Sequence, residues 1–218
     1  MDARSCKIPP AWLVQGGPFY IEGIKAGDWV SIEIIDMDVG AYGFYRNGGP
    51  FWGSMRLIAP VRDGLVHFPP DFVVPIKPMI GVIQLEAATG NYCSYGGNMD
   101  YNSICAGSTV YIRAQRYDGY LTLGDVHARM GDGELTATGV EIDSAITLKV
   151  DRVPGFPTNS LVVETSDAYL TSGMAGNWEE ALKLAWTDMV ALVCHLYDTT
   201  PEHANLIVGT IGDAIPGY

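Results

Sequence analysis

The residues best suited to do chemistry lie at the end of a short apolar segment in the middle of the chain. If residues 120–127 are extended, side chains two positions apart face the same side, so Asp125 and His127 continue the row that begins with Leu121 and Leu123. Burying a carboxylate and an imidazole at the end of such a row costs several kcal/mol unless their charges are compensated. The pattern therefore predicts that these two side chains pair with each other or bind a metal ion.

Further carboxylates follow this segment. Asp132 and Glu134 come after a short turn in which Gly131 and Gly133 allow the chain to fold back toward His127. We therefore expect at least one of these carboxylates to join the first pair.

A glycine-flanked run upstream, Gly96-Gly97-Asn98-Met99-Asp100, adds an amide and another carboxylate. One imidazole and several oxygens with an open coordination position suit a catalytic zinc ion or a similar divalent cation. Such an ion lowers the pKa of a bound water toward ~7 and polarises a carbonyl group. A carboxylate that is not a ligand is then free to serve as a general base.

The same residues also fit an ordinary turn. Asp-Gly and Gly-Asp-Gly are common in hairpins, and an isolated Asp-x-His is commonplace, so spacing alone leaves both interpretations open. The run does not fit an EF-hand calcium loop, because the fifth position of that loop would be Arg129 and the twelfth Thr136.

Composition excludes several classes of protein. The chain has 218 residues, of which 48% are hydrophobic and 17% charged, so it can bury a full core and is not disordered. A net charge of −12 leaves no cluster of cations for nucleic-acid phosphates. No run approaches the ~18 apolar residues of a membrane span, and the first residues lack the apolar run of a secretion signal. We therefore expect a cytoplasmic protein with neither nucleic acid nor membrane as a partner.

Short strands separated by turn residues make up most of the predicted structure. Alternating and β-branched residues predict strands at 29–35, 79–85, 108–114, 120–127, 134–142 and 145–150. The stretch 40–60, rich in glycine and aromatic residues, predicts a long loop. Many short strands at this spacing are typical of a mainly β fold, a β-sandwich or pseudo-barrel.

The pattern changes to helical after about residue 161. Asn177 followed by Glu180 predicts the start of a helix, and Thr200-Pro201 predicts the start of a second, shorter one. The apolar stripe expected to face the sheet consists of Leu182, Trp186, Met189, Val193 and Leu196. We expect a β-rich body over residues 1–150 that carries the site, with an α+β portion over 151–218 packed on it as one compact unit.

Several glycine-rich runs together form a specific pattern. The most distinctive is Gly124-Asp125-Val126-His127-Ala128, followed by Gly131-Asp132-Gly133-Glu134. It is accompanied by the run from Gly96 to Asp100, by Ala106-Gly107-Ser108-Thr109-Val110-Tyr111, and by Gly17-Pro18-Phe19-Tyr20-Ile21-Glu22-Gly23. These runs resemble the acetamidase/formamidase family of metal-dependent amidohydrolases. Only about sixteen residues precede Gly17, where family members usually carry a longer β-rich segment, so the chain is similar to a member shortened at its N-terminus.

The resemblance implies hydrolysis of a small aliphatic amide to a carboxylate and ammonia, on a β-rich fold that forms homo-oligomers. The metal ligands that it implies are Asp100, Asp125 and His127. The cofactor is then a divalent metal, with zinc expected and calcium as the alternative.

The resemblance also implies roles for the remaining polar residues of these runs. Glu134 would be the base for water, with Asp132 as the second catalytic carboxylate. Asn98 would orient the substrate or a metal ligand, and Gly97 would contribute to substrate binding. The sequence leaves open which carboxylate is a ligand and which is the base.

Two other functions stay open at this point. One is a catalytically silent family member that acts as a binding or assembly subunit, and the other is a lactamase acting on a cyclic amide. Metal content and ammonia release separate the first from an enzyme, and a substrate panel separates the second.

Overall fold

The computed structural model describes residues 15–47, 55–85, 96–115 and 119–217. This part of the chain contains thirteen strands in three antiparallel sheets, followed by two helices. The strands are β1 Gln15–Tyr20, β2 Trp29–Val39, β3 Tyr42–Asn47, β4 Met55–Arg62, β5 Leu65–Phe68, β6 Phe72–Pro75, β7 Met79–Gln84, β8 Gly96–Asn98, β9 Thr109–Arg113, β10 Tyr120–His127, β11 Ser144–Val153, β12 Val162–Glu164 and β13 Tyr169–Thr171. The helices are α1 Trp178–Tyr197 and α2 Pro201–Ile211. The expected mainly β class with helices at its C-terminal end is confirmed, but no sheet of the described residues closes into a barrel.

Two of the sheets pack against each other and enclose the main core. One has the strand order β1-β10-β7-β8 and the other β11-β2-β9-β12-β13. Alternate residues of β2, including Ile32 and Ile34, point inward and meet Ile80 and Ile83 of β7 in one apolar cluster. Each of these side chains is fully buried, which stabilises the fold by roughly 1.5–3 kcal/mol per residue.

The strand β7 lies at the centre of the site-bearing sheet, and all six of its residues are buried. It pairs with β10 on one side and β8 on the other. The predicted strands at 29–35, 79–85, 108–114, 120–127 and 145–150 correspond to β2, β7, β9, β10 and β11.

The third sheet, with the order β3-β4-β5-β6, corrects the predicted loop over 40–60. The strands β3 and β4 pair from Tyr42↔Pro60 to Asn47↔Met55, so most of that stretch is a hairpin. Glycine and proline are concentrated in the connection between the strands, and residues 48–54 lie outside the described part of the chain. The aromatic and β-branched residues on either side have ordinary strand propensity, which the loop prediction overlooked.

Both helices begin where their caps predict. The Asn177 side chain accepts a hydrogen bond from the Glu180 backbone N–H at 2.9 Å, and the Thr200 hydroxyl accepts one from the His203 backbone N–H at 3.3 Å. A capped N-terminus satisfies a donor that the helix itself leaves unpaired.

The prediction that the apolar stripe of α1 packs against the sheet is wrong. Trp186, Met189 and Val193 pack against Ala204 and Val208 of α2 rather than against the sheet, and the last residue of the stripe, at position 196, is exposed. An apolar periodicity defines which side of a helix is buried, but it does not say which neighbour buries it.

A different side of α1 meets the β-rich part. The Ala185 carbonyl accepts a hydrogen bond from the Thr171 hydroxyl of β13 at 2.8 Å. Asp188 is 3% exposed and accepts hydrogen bonds from Asn159 and Ser160, both from their backbone N–H groups and from their side chains, at 2.8–3.0 Å. This buried carboxylate ties α1 to the loop that precedes β12.

The division at residue 150 stays a prediction. Residue 150 lies inside β11, and β12 and β13 belong to the same sheet as β2 and β11. Within the described ranges, none of the helices combines the length and the apolar character that crossing a bilayer requires.

Candidate active site

The site lies where β10 runs beside β7 and two loops meet the sheet. The register places Gly124 opposite Val82 and Val126 opposite Ile80, so Asp125 lies opposite Gly81. A Cβ atom on Gly81 would lie 2.6 Å from Asp100 Oδ1 and 2.9 Å from Asp125 Oδ2. The missing side chain of Gly81 is therefore what gives these two carboxylates room.

A second glycine makes room for the imidazole. A Cβ atom on Gly139 would lie 2.6 Å from Cγ and 2.7 Å from Nδ1 of His127. The backbone thus forms a cradle in which Gly81 and Gly139 leave space for three of the polar side chains.

The predicted alternation along β10 ends before the site. Asp125 has a left-handed φ of 55°, and Val126 continues the core row of Leu121 and Leu123. The expectation that Asp125 and His127 extend this row by simple period two is therefore wrong, although the two side chains do lie close together. The left-handed backbone conformation at Asp125 turns the Asp125 and His127 side chains away from the apolar core.

Two loop residues of the site share this unusual backbone. Asp100 has a φ of 48° and Glu134 a φ of 38°. A non-glycine residue in the left-handed region costs on the order of 1–3 kcal/mol, and such strain is concentrated at functional sites.

The described residues bring five ionisable side chains around one point. In the first group, one ligand atom from each of Asp100, Asp125 and His127 lies within 4.8 Å of the others, and a second group of His127, Glu134 and Glu141 has the same property. From His127 Nε2 the distances are 3.9 Å to Asp125 Oδ1, 3.9 Å to Glu134 Oε1 and 3.3 Å to Glu141 Oε2.

Two polar atoms of this cluster are buried without a hydrogen-bond partner among the described residues. They are Asp100 Oδ1 and His127 Nε2, on residues that are 2% and 1% exposed. The contact of Nε2 with Glu141 does not have hydrogen-bond geometry, so it is an ion-pair contact. Leaving such atoms unsatisfied in the interior costs about 1–3 kcal/mol each, and more for charged groups.

The chemistry of these atoms fits a divalent cation. A neutral imidazole presents one nitrogen lone pair, and His127 Nδ1 already contacts Met130 Sδ at 3.2 Å, which leaves Nε2 to face the carboxylates. With Asp100 and Asp125, the first group supplies one nitrogen and two carboxylates, and zinc binds both imidazole nitrogen and carboxylate oxygen.

Burial and mutual repulsion raise the pKa values of several carboxyl groups. Desolvation raises the pKa of Asp100, and desolvation together with the charge of Glu141 raises that of Asp125. Desolvation and the charge of Asp100 raise the pKa of Glu134 to about 7. A carboxyl group with that pKa can both accept and donate a proton at neutral pH.

The pKa values of His127 and Glu141 shift in the directions expected for an ion pair. Burial alone would lower the pKa of His127, but contact with Glu141 and the charges of Asp125 and Asp100 outweigh it and raise the pKa to about 9. Burial alone would raise the pKa of Glu141, but contact with His127 and a hydrogen bond from Thr138 lower it.

Glu141 is a site residue that sequence reasoning missed. The predicted strand over 134–142 is wrong for most of its length, because Glu134 to Ala137 form a turn and only Glu141 makes β-bridges, to His127 and Phe44. The backbone bonds Ala128 N–H to Val140 O and Ile142 N–H to Val126 O lay this short segment beside the end of β10. Glu141 therefore faces His127 through chain pairing, a relation for which its spacing in the sequence gives no signal.

The other predicted residues lie around the cluster. Asn98 Nδ2 donates a hydrogen bond to Asp100 Oδ2 at 2.6 Å and so orients that carboxylate. Gly97 pairs with Ile83 in the β7–β8 ladder. Their predicted role in binding substrate stays a prediction.

The structure places Asp132 outside both groups of candidate ligands. Its side chain is exposed, and its Oδ1 accepts a hydrogen bond from Asn102 Nδ2 at 2.8 Å. Glu134 therefore lies close to His127, whereas Asp132 belongs to neither group, and the predicted catalytic role of Asp132 stays a prediction.

Comparison with known proteins connects this arrangement to one family. The sequence profile of the acetamidase/formamidase family matches residues 83–184, which include every residue of the cluster. A formamidase from Methylophilus methylotrophus is 40% identical over 60 residues, a segment that covers 27% of this chain and 15% of that protein.

Solved structures extend the similarity to nearly the whole chain. A predicted acetamidase/formamidase from Thermoanaerobacter tengcongensis is 30% identical with a TM-score of 0.83, over 93% of this chain and 73% of that one. An acetamidase from Bacillus halodurans is 28% identical with a TM-score of 0.82, over 91% of this chain and 73% of that one.

Proposed function

The chain belongs to the acetamidase/formamidase family, and from this premise we propose that it hydrolyses a small linear amide to a carboxylate and ammonia with the help of a divalent cation. The observation that supports the proposal best is a pair of buried ligand atoms, Asp100 Oδ1 and His127 Nε2, that have no hydrogen-bond partner among the described residues. A cation compensates both atoms at once, whereas a purely structural cluster leaves them as a cost.

Asp100, Asp125 and His127 are the residues that hold the cation in this proposal. Zinc suits one imidazole with carboxylates, whereas calcium favours six to eight oxygens, so zinc is the metal we propose. The bound cation supplies Lewis-acid polarisation of the amide carbonyl and a more acidic water molecule.

Glu134 is the proton-handling residue. Its carboxylate accepts a proton from the attacking water as the new carbon–oxygen bond forms. The same proton then passes to the amide nitrogen as the carbon–nitrogen bond breaks, so water and amide become a carboxylic acid and ammonia. The acid then gives its remaining proton to ammonia, which leaves carboxylate and ammonium.

Glu141 and Asn98 keep the reacting groups in position. Glu141 stays ionised and lies 3.3 Å from His127 Nε2, while Asn98 fixes the orientation of Asp100 through the 2.6 Å hydrogen bond. Polar neighbours of this kind typically change metal affinity or activity 10- to 100-fold when they are removed.

Metal content and ammonia release test the proposal together. We expect purified protein to contain stoichiometric zinc, to release ammonia from formamide or acetamide, and to lose this activity reversibly with a chelator. A γ-lactam in the same panel tests the cyclic-amide alternative. Protein with neither bound metal nor ammonia release would rule the enzyme out and favour the silent assembly subunit.

Two variants separate the proton transfer from metal binding. Glu134→Gln is expected to lower kcat by roughly 10²–10⁴-fold while zinc binding is retained, since general acid–base catalysis contributes about that much. Asp125→Asn is expected to weaken zinc binding itself. Asp167→Asn, on an exposed turn where the carboxylate accepts a hydrogen bond from Thr165, is the control and leaves both properties unchanged.

Self-association stays part of the proposal. Trp178, Tyr197, Leu206 and Ile211 on the two helices are between 49% and 77% exposed, and large apolar side chains of this kind are common in subunit interfaces. Light scattering on the purified protein decides the number of subunits, and a monomer would contradict the expectation of a homo-oligomer.

A further inference from the structure

Asp132 and Asn102 join the two loops that carry the site carboxylates. We propose that Asp132 is a positioning residue, which together with Asn102 holds the turn bearing Glu134 against the loop bearing Asp100. This inference rests on the proposed function, because it assigns a role to Asp132 within that site. It replaces the acid–base role that the sequence predicts for the same residue.

The geometry of the contact links the two loops at a short distance from the reacting groups. Asn102 Nδ2 donates to Asp132 Oδ1 at 2.8 Å. Asn102 comes two residues after Asp100, and Asp132 comes two residues before Glu134. A displacement at this contact therefore reaches both carboxylates through two residues of backbone on each side.

On the Asn102 side of the contact, the loop backbone is held to the sheet, while the Asn102 Oδ1 atom is buried without a hydrogen-bond partner among the described residues. Asn102 is 8% exposed, and the loop is closed by a hydrogen bond from the Ile104 backbone N–H to the Tyr101 carbonyl at 2.8 Å. The Ile104 carbonyl in turn accepts from the Ile80 backbone N–H of β7 at 2.8 Å. This loop is therefore a rigid point of attachment.

The exposed part of the turn on the other side has little packing of its own, although the Glu134 side chain is buried. Leu135, next to Glu134, is 92% exposed, so its side chain does not hold the turn to the core. The turn contains the local bonds Glu134 N–H to Gly131 O at 3.1 Å and Ala137 N–H to Glu134 O at 2.7 Å. Those bonds shape the turn, the buried Glu134 side chain holds one end of it near His127, and the contact of Asp132 with Asn102 attaches its exposed end to the loop that bears Asp100.

The donor and acceptor of this hydrogen bond are fixed, which suits a role in positioning the two loops. An ionised carboxylate only accepts hydrogen bonds, so Asp132 requires the amide nitrogen of Asn102 and thereby fixes which way that buried amide points. An asparagine at 132 keeps an accepting oxygen but removes the charge, so the hydrogen bond and the charge can be tested separately.

The test compares Asp132→Ala with Asp132→Asn and uses three readouts. These are kinetics with formamide, zinc affinity by calorimetry, and hydrogen exchange of the backbone amides of Glu134 and Ala137. We expect Asp132→Ala to lower kcat by roughly 10- to 100-fold, since small misplacements of reacting groups cost about that much. Its pH–rate profile keeps its shape, its zinc affinity stays within a few fold, and the two amides exchange faster.

Asp132→Asn is expected to recover most of the kcat and most of the protection from exchange. A second variant, Asn102→Ala, removes the donor from the other side of the contact and is expected to reproduce the losses of Asp132→Ala. It also keeps the test decisive if Asp132→Ala does not fold. Asp167→Ala, which truncates an exposed aspartate on a remote turn, serves as the matched control and leaves all three readouts unchanged.

Two results would overturn the positioning role. The first is an Asp132→Asn variant as inactive as Asp132→Ala but with wild-type exchange, because the charge itself would then be needed for chemistry. The second is an Asp132→Ala variant with wild-type kcat and exchange. If the wild-type protein neither binds zinc nor releases ammonia, the proposed function fails, and the exchange rates alone then decide whether Asp132 holds the turn.

Discussion

Gly81→Ala is the sharpest test of the cradle at the site. Gly81 has an ordinary backbone conformation, so alanine introduces only a methyl group. That methyl carbon would lie 2.6 Å from Asp100 Oδ1, 2.9 Å from Asp125 Oδ2 and 2.7 Å from the Asp125 backbone oxygen. The substitution therefore acts on two of the three proposed ligands without altering either one chemically.

The required displacement follows from these distances. Ordinary contact begins at 3.4 Å, so Asp100 Oδ1 must move by about 0.8 Å and Asp125 Oδ2 by about 0.5 Å. Metal–ligand distances tolerate about ±0.2 Å. We therefore expect zinc affinity to fall by roughly 10- to 100-fold, which is about 1.4–2.7 kcal/mol. The added methyl also overpacks the β7–β10 pair, which costs about 1–3 kcal/mol of stability.

Calorimetric titration with zinc measures the first effect, and urea unfolding in the presence of a chelator measures the second. Gly131→Ala is the matched control, because none of the described atoms lies within 4 Å of the position its methyl would take. If Gly81→Ala unfolds the protein, Gly139→Ala provides the same test from the imidazole side, where the methyl would lie 2.6 Å from His127 Cγ.

Wild-type zinc affinity in folded Gly81→Ala would refute the reasoning. It would mean that Asp100 and Asp125 do not hold the cation together beside this glycine. Equal losses in Gly81→Ala and in the Gly131→Ala control would refute it too, since the effect would then have no relation to the cradle.

Two further predictions concern stability. Without metal, the folded-state pKa values of Glu134, about 7, and His127, about 9, lie above the ordinary values of 4.5 and 6.5, so the folded state binds more protons in between. The contribution of these two groups is fully present below their ordinary pKa values and is lost as the pH rises through the folded-state values. Each unit of pKa shift corresponds to about 1.36 kcal/mol, so chelated protein is expected to be about 3–5 kcal/mol less stable at pH 8 than at pH 5 by urea unfolding. A rise in stability over that range would contradict this. Asp188→Ala leaves the four donors of the loop before β12 without their acceptor and is expected to cost about 3–5 kcal/mol in the same measurement, with zinc affinity unchanged. Asp167→Ala is the surface control, expected to stay within about 0.5 kcal/mol, and an equal loss in both variants would show that the hydrogen bonds of Asp188 contribute nothing special.

Local sequence patterns predicted correctly those strands and helix starts that are defined by residues close together in the chain. The strands β7 and β10 and the starts of both helices follow from β-branched runs and from capping residues, which act within a few positions of the chain. The hairpin of β3 and β4 and the partner of the α1 stripe depend on contacts between distant segments, and there the prediction was wrong. Propensity does not contain that information.

The site residues also fall into those that the sequence indicated and those that only the tertiary contacts revealed. The run of residues around Asp125 and His127, together with Asp100, pointed to a common cluster, and the structure brings these three side chains together. The structure also places Glu141 in the cluster, and it places Asp132 outside the cluster, where Asp132 contacts Asn102. Neither change has a signature in spacing.

The amino-acid sequence by itself determined which ligand types are available, the mainly β class and the family. Only the tertiary structure decided which carboxylates surround His127. The reason is geometric: left-handed backbone at Asp100, Asp125 and Glu134 redirects their side chains, and the pairing of Glu141 with the end of β10 brings in a residue from outside the motif. Both depend on how separate segments pack, so a period-two or turn pattern along one segment does not contain them.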